Sequence, residues 1–467
     1  MCQSIAEGGR RCSGTPTGKA LYALYRERRA NPSEEINARI ANVKEAEKLY
    51  GGRFVTPFEM ALPNGVSDAM DVARSVGNPL VVGGAVRDAL CGAGSKDTDI
   101  EVYGTSLDEL TRAYRKAGYS VDEVGKAFGV LKVGRKGGVR DLDVAVPRTE
   151  NAVGKGHRDF TVDTDKDLTV TDAAQRRDFT INAMSYDPRL GVLIDPYNGK
   201  EDMERGVLRA VSEKFAEDPL RVMRGVQFAA RFGMELDPET ASMCRSLRPH
   251  ASELARERVE DEWMKLWEKG KKPSLGLRTL REVGWDDTIP GLKDALTDDV
   301  IEKMDKLPDI PAEDRAATGA AMLARQLPAH PHNVRSTFLR RVTVGNDVAM
   351  MAANFANAVP SELNTPYARK RWADTVFKSC TFAQYRRFAE LIRDAEAVAV
   401  CNTAEKDGVL NGPEPAYVQG RDIISVTDRK PGPWVGQIVE EAKERQYRGE
   451  FADRDAALEW AREHAAG

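Results

Sequence analysis

Several features are scarce in this sequence of 467 residues, and each scarcity excludes a class of protein. No stretch approaches the roughly 18 apolar residues of a membrane-spanning helix. The polar start, residues 1–7, lacks the apolar core of a secretory signal. The 6 cysteines are scattered and form no CxxC pair, which argues against a zinc site and against a disulfide framework. We therefore expect a cytoplasmic protein that does not associate with membranes.

An excess of charge of one sign is also missing, since the formal net charge is −4. This near balance argues against a protein coated with basic residues for nucleic acid, although it allows a local basic surface. The chain is longer than one hydrophobic core supports, so we expect several modules.

The pattern of apolar residues changes along the chain and suggests the module boundaries. Residues 1–60 are polar and basic and are predicted to be a solvated extension, with RNA contact as the alternative. Residues 61–197 have an α/β pattern. The remainder has helical periodicity interrupted by proline and glycine, and we divide it into a neck (198–270), a body (271–402) and a tail (403–467).

Two adjacent glycines, Gly83 and Gly84, lie between an apolar strand and a helix in the segment GGAVRD. Such a pair allows a phosphate to approach the backbone at the start of a helix. Arg87 in the same segment adds a forked donor. Taken alone, the pair is more typical of a tight structural turn.

Carboxylates on two predicted strands form a candidate metal site. Asp97 and Asp99 share one face if both lie on a strand, because side chains alternate with a period of two. Neighbouring carboxylates repel each other unless a cation lies between them, and Mg²⁺ prefers such oxygen ligands. A DxD segment alone is more often a solvated turn, but this one closely follows the glycine pair. The third carboxylate is Asp143 in the segment RDLDVAVPR, with Asp141 as the alternative.

In this order the segments GGAVRD, KDTD and DVAVPR resemble the head of class II tRNA nucleotidyltransferases and their relatives, the bacterial poly(A) polymerases. The likeness is close over residues 79–235 and returns at 418–464. It implies an α+β fold, with a polymerase-β-like nucleotidyltransferase head followed by an all-helical neck, body and tail. It also implies two Mg²⁺ ions and the substrates CTP, ATP and tRNA, with no role for DNA.

The resemblance assigns roles to individual residues as well. Asp97, Asp99 and Asp143 are expected to be the catalytic, metal-binding carboxylates. The nucleotide phosphates are expected at Gly83, Gly84 and Arg87, and the ribose at Arg177, Asp178 and Asn182 in the segment RRDFTINA. In the tail, tRNA is expected to contact Arg421, Lys443, Arg445 and Arg448, although a solvated charged helix is the alternative there.

Asp218 and Arg221, in the segment EDPLR that resembles the nucleotide-reading helix of the family, are expected to recognise the base. They are three residues apart at a predicted helix start, so their side chains point the same way. A carboxylate accepts hydrogen bonds and a guanidinium donates them. Cytosine and adenine each present an amino donor beside a ring-nitrogen acceptor, whereas uracil and guanine present a carbonyl there. The pair is thus suited to accept C and A, with an N-cap aspartate and a solvated arginine as the alternative.

These expectations predict a template-independent enzyme that adds CCA to the 3′ end of tRNA and releases pyrophosphate. A poly(A) polymerase shares every head motif, but the last residues, 459–464, are not the basic arm that those relatives usually carry. A partial enzyme that adds only C or only A is a further alternative. A catalytically silent tRNA-binding protein is disfavoured by the intact carboxylates. The chain has only 5 histidines and shows no His/Asp cluster of the phosphohydrolase domain found in some relatives.

Overall fold

The computed structural model describes residues 14–94, 97–125, 129–135, 142–152, 160–328, 334–357, 363–406, 414–425 and 430–465. The chain divides into two compact units. The first runs to Gly225 and includes Gly233–Leu254, and the second comprises Val226–Phe232 and continues from Ala255. The alternative carboxylate Asp141 lies outside the described residues.

The first unit is built on a mixed sheet in which eight strands are described, in the order β1-β10-β9-β2-β3-β6-β5-β4. Strands β3 and β6 are parallel, and the other neighbouring pairs are antiparallel. The strands of the unit are β1 (Val55–Pro57), β2 (Asn78–Val82), β3 (Asp99–Tyr103), β4 (Ser120–Asp122), β5 (Val130–Gly134), β6 (Leu142–Ala145), β7 (Arg148–Ala152), β8 (Phe160–Thr164), β9 (Ser185–Asp187), β10 (Val192–Ile194), β11 (Val207–Leu208) and β12 (Glu235–Leu236).

Helices flank this sheet and continue beyond it. They are α1 (Pro16–Ala30), α2 (Glu34–Leu49), α3 (Val66–Arg74), α4 (Gly84–Leu90), α5 (Leu107–Lys116), α6 (Val170–Ala174), α7 (Gly199–Arg205), α8 (Leu220–Phe232) and α9 (Pro238–Ser246). The helix α8 contributes residues to both units.

The alternation of side chains along β3 and β6 separates an apolar sheet face from a polar one. Ile100 and Val144 are fully buried in one core with residues of α3, α4 and α5. Because successive side chains point to opposite faces, Asp99 and Asp143, each one residue earlier, point to the other face. The apolar residues of these strands therefore anchor the sheet, and the acidic residues between them are presented together on its opposite side.

Helices α1 and α2 form part of the first unit, so a boundary at residue 60 does not separate an extension from the head. Ile36 and Val43 of α2 are buried in a second core with Leu80 and Val82 of β2. Strand β1 pairs with β10 at the edge of the sheet. Composition suggested a solvated extension because the exposed surfaces of these helices are polar and α1 buries only Thr17 and Leu24.

Two further differences concern the strands. Asp97 precedes β3, so the two aspartates of the DxD segment do not both lie on the strand. The predicted sharing of one face assumed that they do, and it therefore does not apply to this pair. The second is the antiparallel pair β7 and β8, which the sequence pattern did not predict. Its many polar residues hid the strand pattern, because backbone pairing does not require apolar side chains.

The second unit is helical throughout its described residues. Its helices are α10 (Arg256–Lys269), α11 (Pro273–Glu282), α12 (Leu292–Ala295), α13 (Asp298–Lys303), α14 (Ala312–Ala324), α15 (Val334–Val342), α16 (Asn346–Asn357), α17 (Pro366–Val376), α18 (Phe382–Leu391), α19 (Ala395–Lys406), α20 (Gly420–Ile424), α21 (Pro433–Tyr447) and α22 (Arg454–Ala465). The last three share a small core of their own. No helix in the described part of the chain has the length and apolarity needed to cross a membrane.

Candidate active site

Asp99 and Asp143 lie side by side at the centre of the sheet. Their strands are parallel and pair Ile100 with Val144, so the two aspartates occupy equivalent positions on neighbouring strands and on the same face. On the other side of β6, Lys132 of β5 is paired in register with Asp143. The Lys132 ammonium lies 3.0 Å from Oδ1 of Asp143. The sequence prediction that brings Asp99 and Asp143 together agrees with this arrangement.

The electrostatics of these carboxylates favour a cation. Partial desolvation by the surrounding protein raises the pKa of Asp99, and the nearby charges of Asp143 and Asp97 raise it further, whereas Arg177 opposes the shift. Oδ1 of Asp143 is shielded from solvent and accepts no hydrogen bond from the described residues beyond its ion pair with Lys132. Like charges this close require a compensating positive charge.

Carboxylate oxygens suit a divalent cation, but these carboxylates do not surround a position for one. Among the described residues, no group of three His, Cys, Asp or Glu side chains lies close enough together to hold a metal ion. In this arrangement Lys132 and Arg177 contribute positive charge beside the carboxylates. Asp99 and Asp143 share a face on which a divalent ion could bind, and Asp97 precedes β3.

The glycine turn adjoins the carboxylates because of the strand register. Val82, which precedes the turn, pairs with Asp99. Gly83 has φ 71° and ψ −129°, a combination that a residue with a Cβ atom rarely adopts. A Cβ at Gly83 would lie 3.2 Å from Nη1 of Arg177. The Arg177 side chain is 30% exposed, and its Nη2 lies 3.5 Å from Oε2 of Glu101, so this guanidinium lies beside the turn and near the carboxylates.

Behind the turn, a continuous set of hydrogen bonds connects Arg87, Asn182, Asp178 and Arg224. Arg87 donates to Asn182 Oδ1 at 2.6 Å, and Asn182 donates to Asp178 Oδ1 at 2.9 Å. Arg224 of α8 donates to Asp178 Oδ2 at 2.6 Å. Burial opposes ionisation of Asp178, but Arg224 and the hydrogen bonds from Asn182 and Phe179 hold the pKa of this carboxyl below its usual range. The structure therefore brings Arg87, Asp178 and Asn182 together as predicted.

Asp218 and Arg221 lie at the start of α8, where the sequence predicted them, and both make contacts within the protein. Asp218 accepts a hydrogen bond from the Leu220 backbone N–H at 3.0 Å, which is a cap at the helix start. Arg221 donates to the backbone carbonyl of Lys214 at 2.5 Å and to that of Arg176 at 2.8 Å. The pair is thus held in place by the backbone around it, and its role in base recognition stays a prediction.

The predicted tRNA-binding residues of the tail lie on α20 and α21. Arg421 is exposed. Lys443 forms an ion pair with Asp374 of α17 at 2.5 Å, and its side chain is only 18% exposed. Arg445 pairs with Glu441 and Glu450. Arg448 pairs with Glu444 and lies over the ring of Tyr367.

These contacts distinguish the basic residues of the tail. The Lys443 charge is used to attach α21 to α17, and the Arg445 charge is paired with two glutamates. Arg421 and Arg448, which is 52% exposed, remain accessible to a nucleic-acid backbone. Contact of all four with tRNA stays a prediction.

Sequence reasoning assigned no role to Lys132, Glu101 or Arg224. Lys132 and Glu101 alternate with buried residues on β5 and β3, so the period of two carried a signal that they share a face with the aspartates. Arg224 lies one turn after Arg221, but its ion pair with Asp178 spans 46 residues of sequence, and no local pattern reports such a contact.

The comparisons with known proteins identify the family. Residues 80–209 match the model of the poly A polymerase head domain, and residues 233–296 match that of the probable RNA and SrmB-binding site of polymerase A. The chain is 31% identical to the multifunctional CCA protein of Xanthomonas campestris pv. campestris (strain B100) over 413 residues, covering 78% of this chain and 96% of that protein. The chain belongs to the CCA-adding tRNA nucleotidyltransferase family.

Other members of the CCA-adding family match over a shorter part of the chain or at lower sequence identity. A multifunctional CCA protein of Chromobacterium violaceum is 43% identical over 208 residues, which cover 44% of this chain and about half (48%) of that protein. The fold is that of the Bacillus stearothermophilus CCA-adding enzyme in complex with CTP, with TM-score 0.61 and 22% identity over 85% of this chain and 96% of that one. The Thermotoga maritima CCA-adding enzyme complexed with tRNA gives TM-score 0.55 and 20% identity, covering 86% of this chain and 99% of that one. Nucleotidyltransferases of this kind generally use a divalent metal.

Proposed function

We propose that this protein adds the sequence CCA to the 3′ end of tRNA, using CTP and ATP and releasing pyrophosphate. The observation that carries the proposal is the parallel pairing of β3 with β6, which places Asp99 beside Asp143 on one face. The antiparallel pairing of Val82 with Asp99 then places the glycine turn next to them. Carboxylates beside a phosphate-binding turn are the arrangement that transfer of a nucleotidyl group requires.

The reaction is an in-line substitution at the α-phosphorus of the nucleotide. The 3′ oxygen of the tRNA forms a bond to this phosphorus, and the bond to the bridging oxygen of the β-phosphate breaks. Pyrophosphate leaves with that electron pair, and the hydroxyl proton passes to solvent. No protein nucleophile is needed, so positioning and neutralisation of charge provide the catalysis.

We assign each step of binding to residues of this face. Asp97, Asp99 and Asp143 would hold two Mg²⁺ ions, which when bound supply Lewis-acid stabilisation of the phosphate charge. The Gly83-Gly84 turn, with Arg87 behind it, receives the triphosphate, and we assign the ribose to Arg177, Asp178 and Asn182. Asp218 and Arg221 read the base by accepting and donating hydrogen bonds. In the described part of the chain, Cys91, Cys380 and Cys401 are thiols outside any disulfide, which suits the reducing cytoplasm, the compartment we propose.

The rejection of U and G follows from the same donor and acceptor pattern. A carbonyl presented to the Asp218 carboxylate leaves two acceptors facing each other. Leaving buried polar groups unpaired costs about 1–3 kcal/mol each, and sites built on such hydrogen bonds discriminate strongly. The protein thereby takes the part of a template.

Incorporation of nucleotides into a tRNA transcript that lacks its CCA end tests the proposal. With Mg²⁺, we expect two C residues from CTP alone, and one further A followed by a stop when ATP is added. Long A tracts on any RNA would identify a poly(A) polymerase. Addition of C alone, or of A only after CC, would identify a partial enzyme, and no addition at all would favour a tRNA-binding protein.

A further inference from the structure

The family resemblance places Asp178 at the ribose, but the carboxylate of Asp178 is already engaged within the protein. Oδ1 accepts hydrogen bonds from the Phe179 N–H at 2.7 Å and from Asn182 Nδ2 at 2.9 Å. Oδ2 accepts from Nε and Nη2 of Arg224, each at 2.6 Å. A carboxylate has about four lone-pair sites, so these four contacts fill it. The side chain is also only 7% exposed.

The same hydrogen bonds lead from α8 to the glycine turn. Asn182 donates through Nδ2 to Asp178, so its Oδ1 faces the other way and accepts from Nη1 of Arg87. Arg87 is held on its remaining side by Asp88, which accepts from Nε at 2.8 Å and from Nη2 at 2.6 Å. A Cβ atom at Gly84 would lie 3.4 Å from Nη2 of Arg87, so the guanidinium lies directly behind the turn.

We propose that Arg224 is a positioning residue that acts through Asp178 and Asn182 to fix the guanidinium of Arg87 behind the Gly83-Gly84 turn. The inference rests on the proposed function, since it concerns the place where the nucleotide triphosphate lies. The first residue of this relay belongs to the helix that carries Arg221, so the base-reading helix and the phosphate-binding turn are oriented by one set of contacts.

The geometry explains why each member of the relay depends on the next. An asparagine amide has a donor end and an acceptor end, and the orientation of Asn182 is decided by which partner needs which end. The ionised Asp178 carboxylate requires the amino group, so the carbonyl oxygen is directed to Arg87. Without Arg224, Oδ2 of Asp178 loses both of its donors and the carboxylate is free to rotate towards Asn182 and Arg87. Arg87 then loses its fixed position, although every residue that touches the nucleotide is still present.

A double-mutant cycle tests the relay. The variants are Arg224→Ala, Asn182→Ala and the combination of the two, and the readouts are the separate kinetic constants for CTP and for tRNA. We expect each single change to lower kcat/KM for CTP by about tenfold or more, because positioning of the nucleotide is lost. The KM for tRNA should stay within about twofold, and the double variant should be at most about twofold worse than the poorer single variant, since residues of one network are not additive.

Two controls separate positioning from a loss of stability. Arg224→Lys keeps the positive charge but lacks the forked donor geometry, so we expect it to recover part of the CTP effect. Arg209→Ala removes two ion pairs with the buried carboxylates of Asp202 and Asp237 in the same unit. It should lower the melting temperature. Any effect of Arg209→Ala on kcat/KM for CTP should be additive with that of Asn182→Ala, because Arg209 is not part of the relay.

The relay would be overturned if the losses of kcat/KM for CTP in Arg224→Ala and Asn182→Ala multiplied in the double variant. A change confined to the KM for tRNA would also overturn it. Calorimetric titration of each variant with CTP and Mg²⁺ in the absence of tRNA provides a second readout, in which the same non-additive loss of affinity is expected. If the wild-type protein binds CTP but adds no nucleotide to tRNA, the proposed function fails, and the titrations still decide the relay.

Discussion

The ammonium group of Lys132 lies 3.0 Å from Oδ1 of Asp143, across the paired strands β5 and β6. An ammonium at this distance neutralises a carboxylate that a divalent ion would otherwise neutralise. If Asp143 holds a divalent ion as proposed, we expect Lys132 to compete with that ion for the carboxylate.

Replacement of Lys132 by glutamine should lower the Mg²⁺ concentration needed for half-maximal activity. Because the ion pair is partly exposed, the expected change is about two- to fivefold. A titration of activity with Mg²⁺ at saturating CTP measures it, and Lys116→Gln on α5 provides an exposed control in the same unit. An unchanged or higher Mg²⁺ requirement would contradict the competition.

The carboxylate pair predicts a separation of catalysis from RNA binding. Asp99→Asn should reduce nucleotide addition by at least about a hundredfold, because the amide oxygen is a weaker metal ligand without charge. Asp97→Ala should have the same effect, and tRNA binding should be nearly unchanged in both. Single-turnover addition and a filter-binding assay provide the two measurements. The exposed Asp167→Asn serves as the control, and residual activity of more than a few per cent would remove the altered residue from the metal site.

Asp218 offers a test in which helix capping and base reading are separated. Asparagine also caps helix starts well, so Asp218→Asn should leave stability nearly unchanged, while its amide presents a donor as well as an acceptor. We expect UTP and GTP to be accepted more readily relative to CTP and ATP, by about tenfold. Misincorporation of the four nucleotides into one transcript measures the ratio, with Asp237→Asn at the N-cap of α9 as the matched exchange. Unchanged selectivity would defeat the template role of the pair. The larger truncation Asp218→Ala should relax base choice more than it weakens tRNA binding.

The attachment of α2 to the sheet predicts a loss of stability when one hydroxyl is removed. The Tyr50 hydroxyl donates to Asp187 Oδ2 at 2.7 Å and accepts from Asn78 at 3.2 Å, and Asp187 is 1% exposed. Tyr50→Phe leaves that buried carboxylate short of a donor, which should cost about 1–3 kcal/mol. Thermal melting checks it against Tyr22→Phe, whose ring is 39% exposed. Equal melting temperatures for the two variants would show that the contact contributes little.

Much of the site was predictable because it is encoded in short segments. Alternation along β3 and β6 is visible in the letters DIEV and LDVA, which is why the placement of Asp99 and Asp143 could be inferred before their strands were seen to pair. The glycine turn was predictable for a similar reason, since only glycine readily adopts the backbone angles found at Gly83. The inclusion of α1 in the first unit was not predictable, because a helix that buries only Thr17 and Leu24 has the composition of a solvated one.

The sequence by itself determined the order of the motifs, the change from an α/β head to a helical remainder, and the chemical types of the site residues, because these depend on local periodicity and on the side chains themselves. Only the tertiary structure decided which charges meet. The ion pairs of Asp143 with Lys132, Asp178 with Arg224 and Asp374 with Lys443 join residues on different elements. Such contacts depend on strand register and helix packing, which are set by the whole core and not by the residues near each partner.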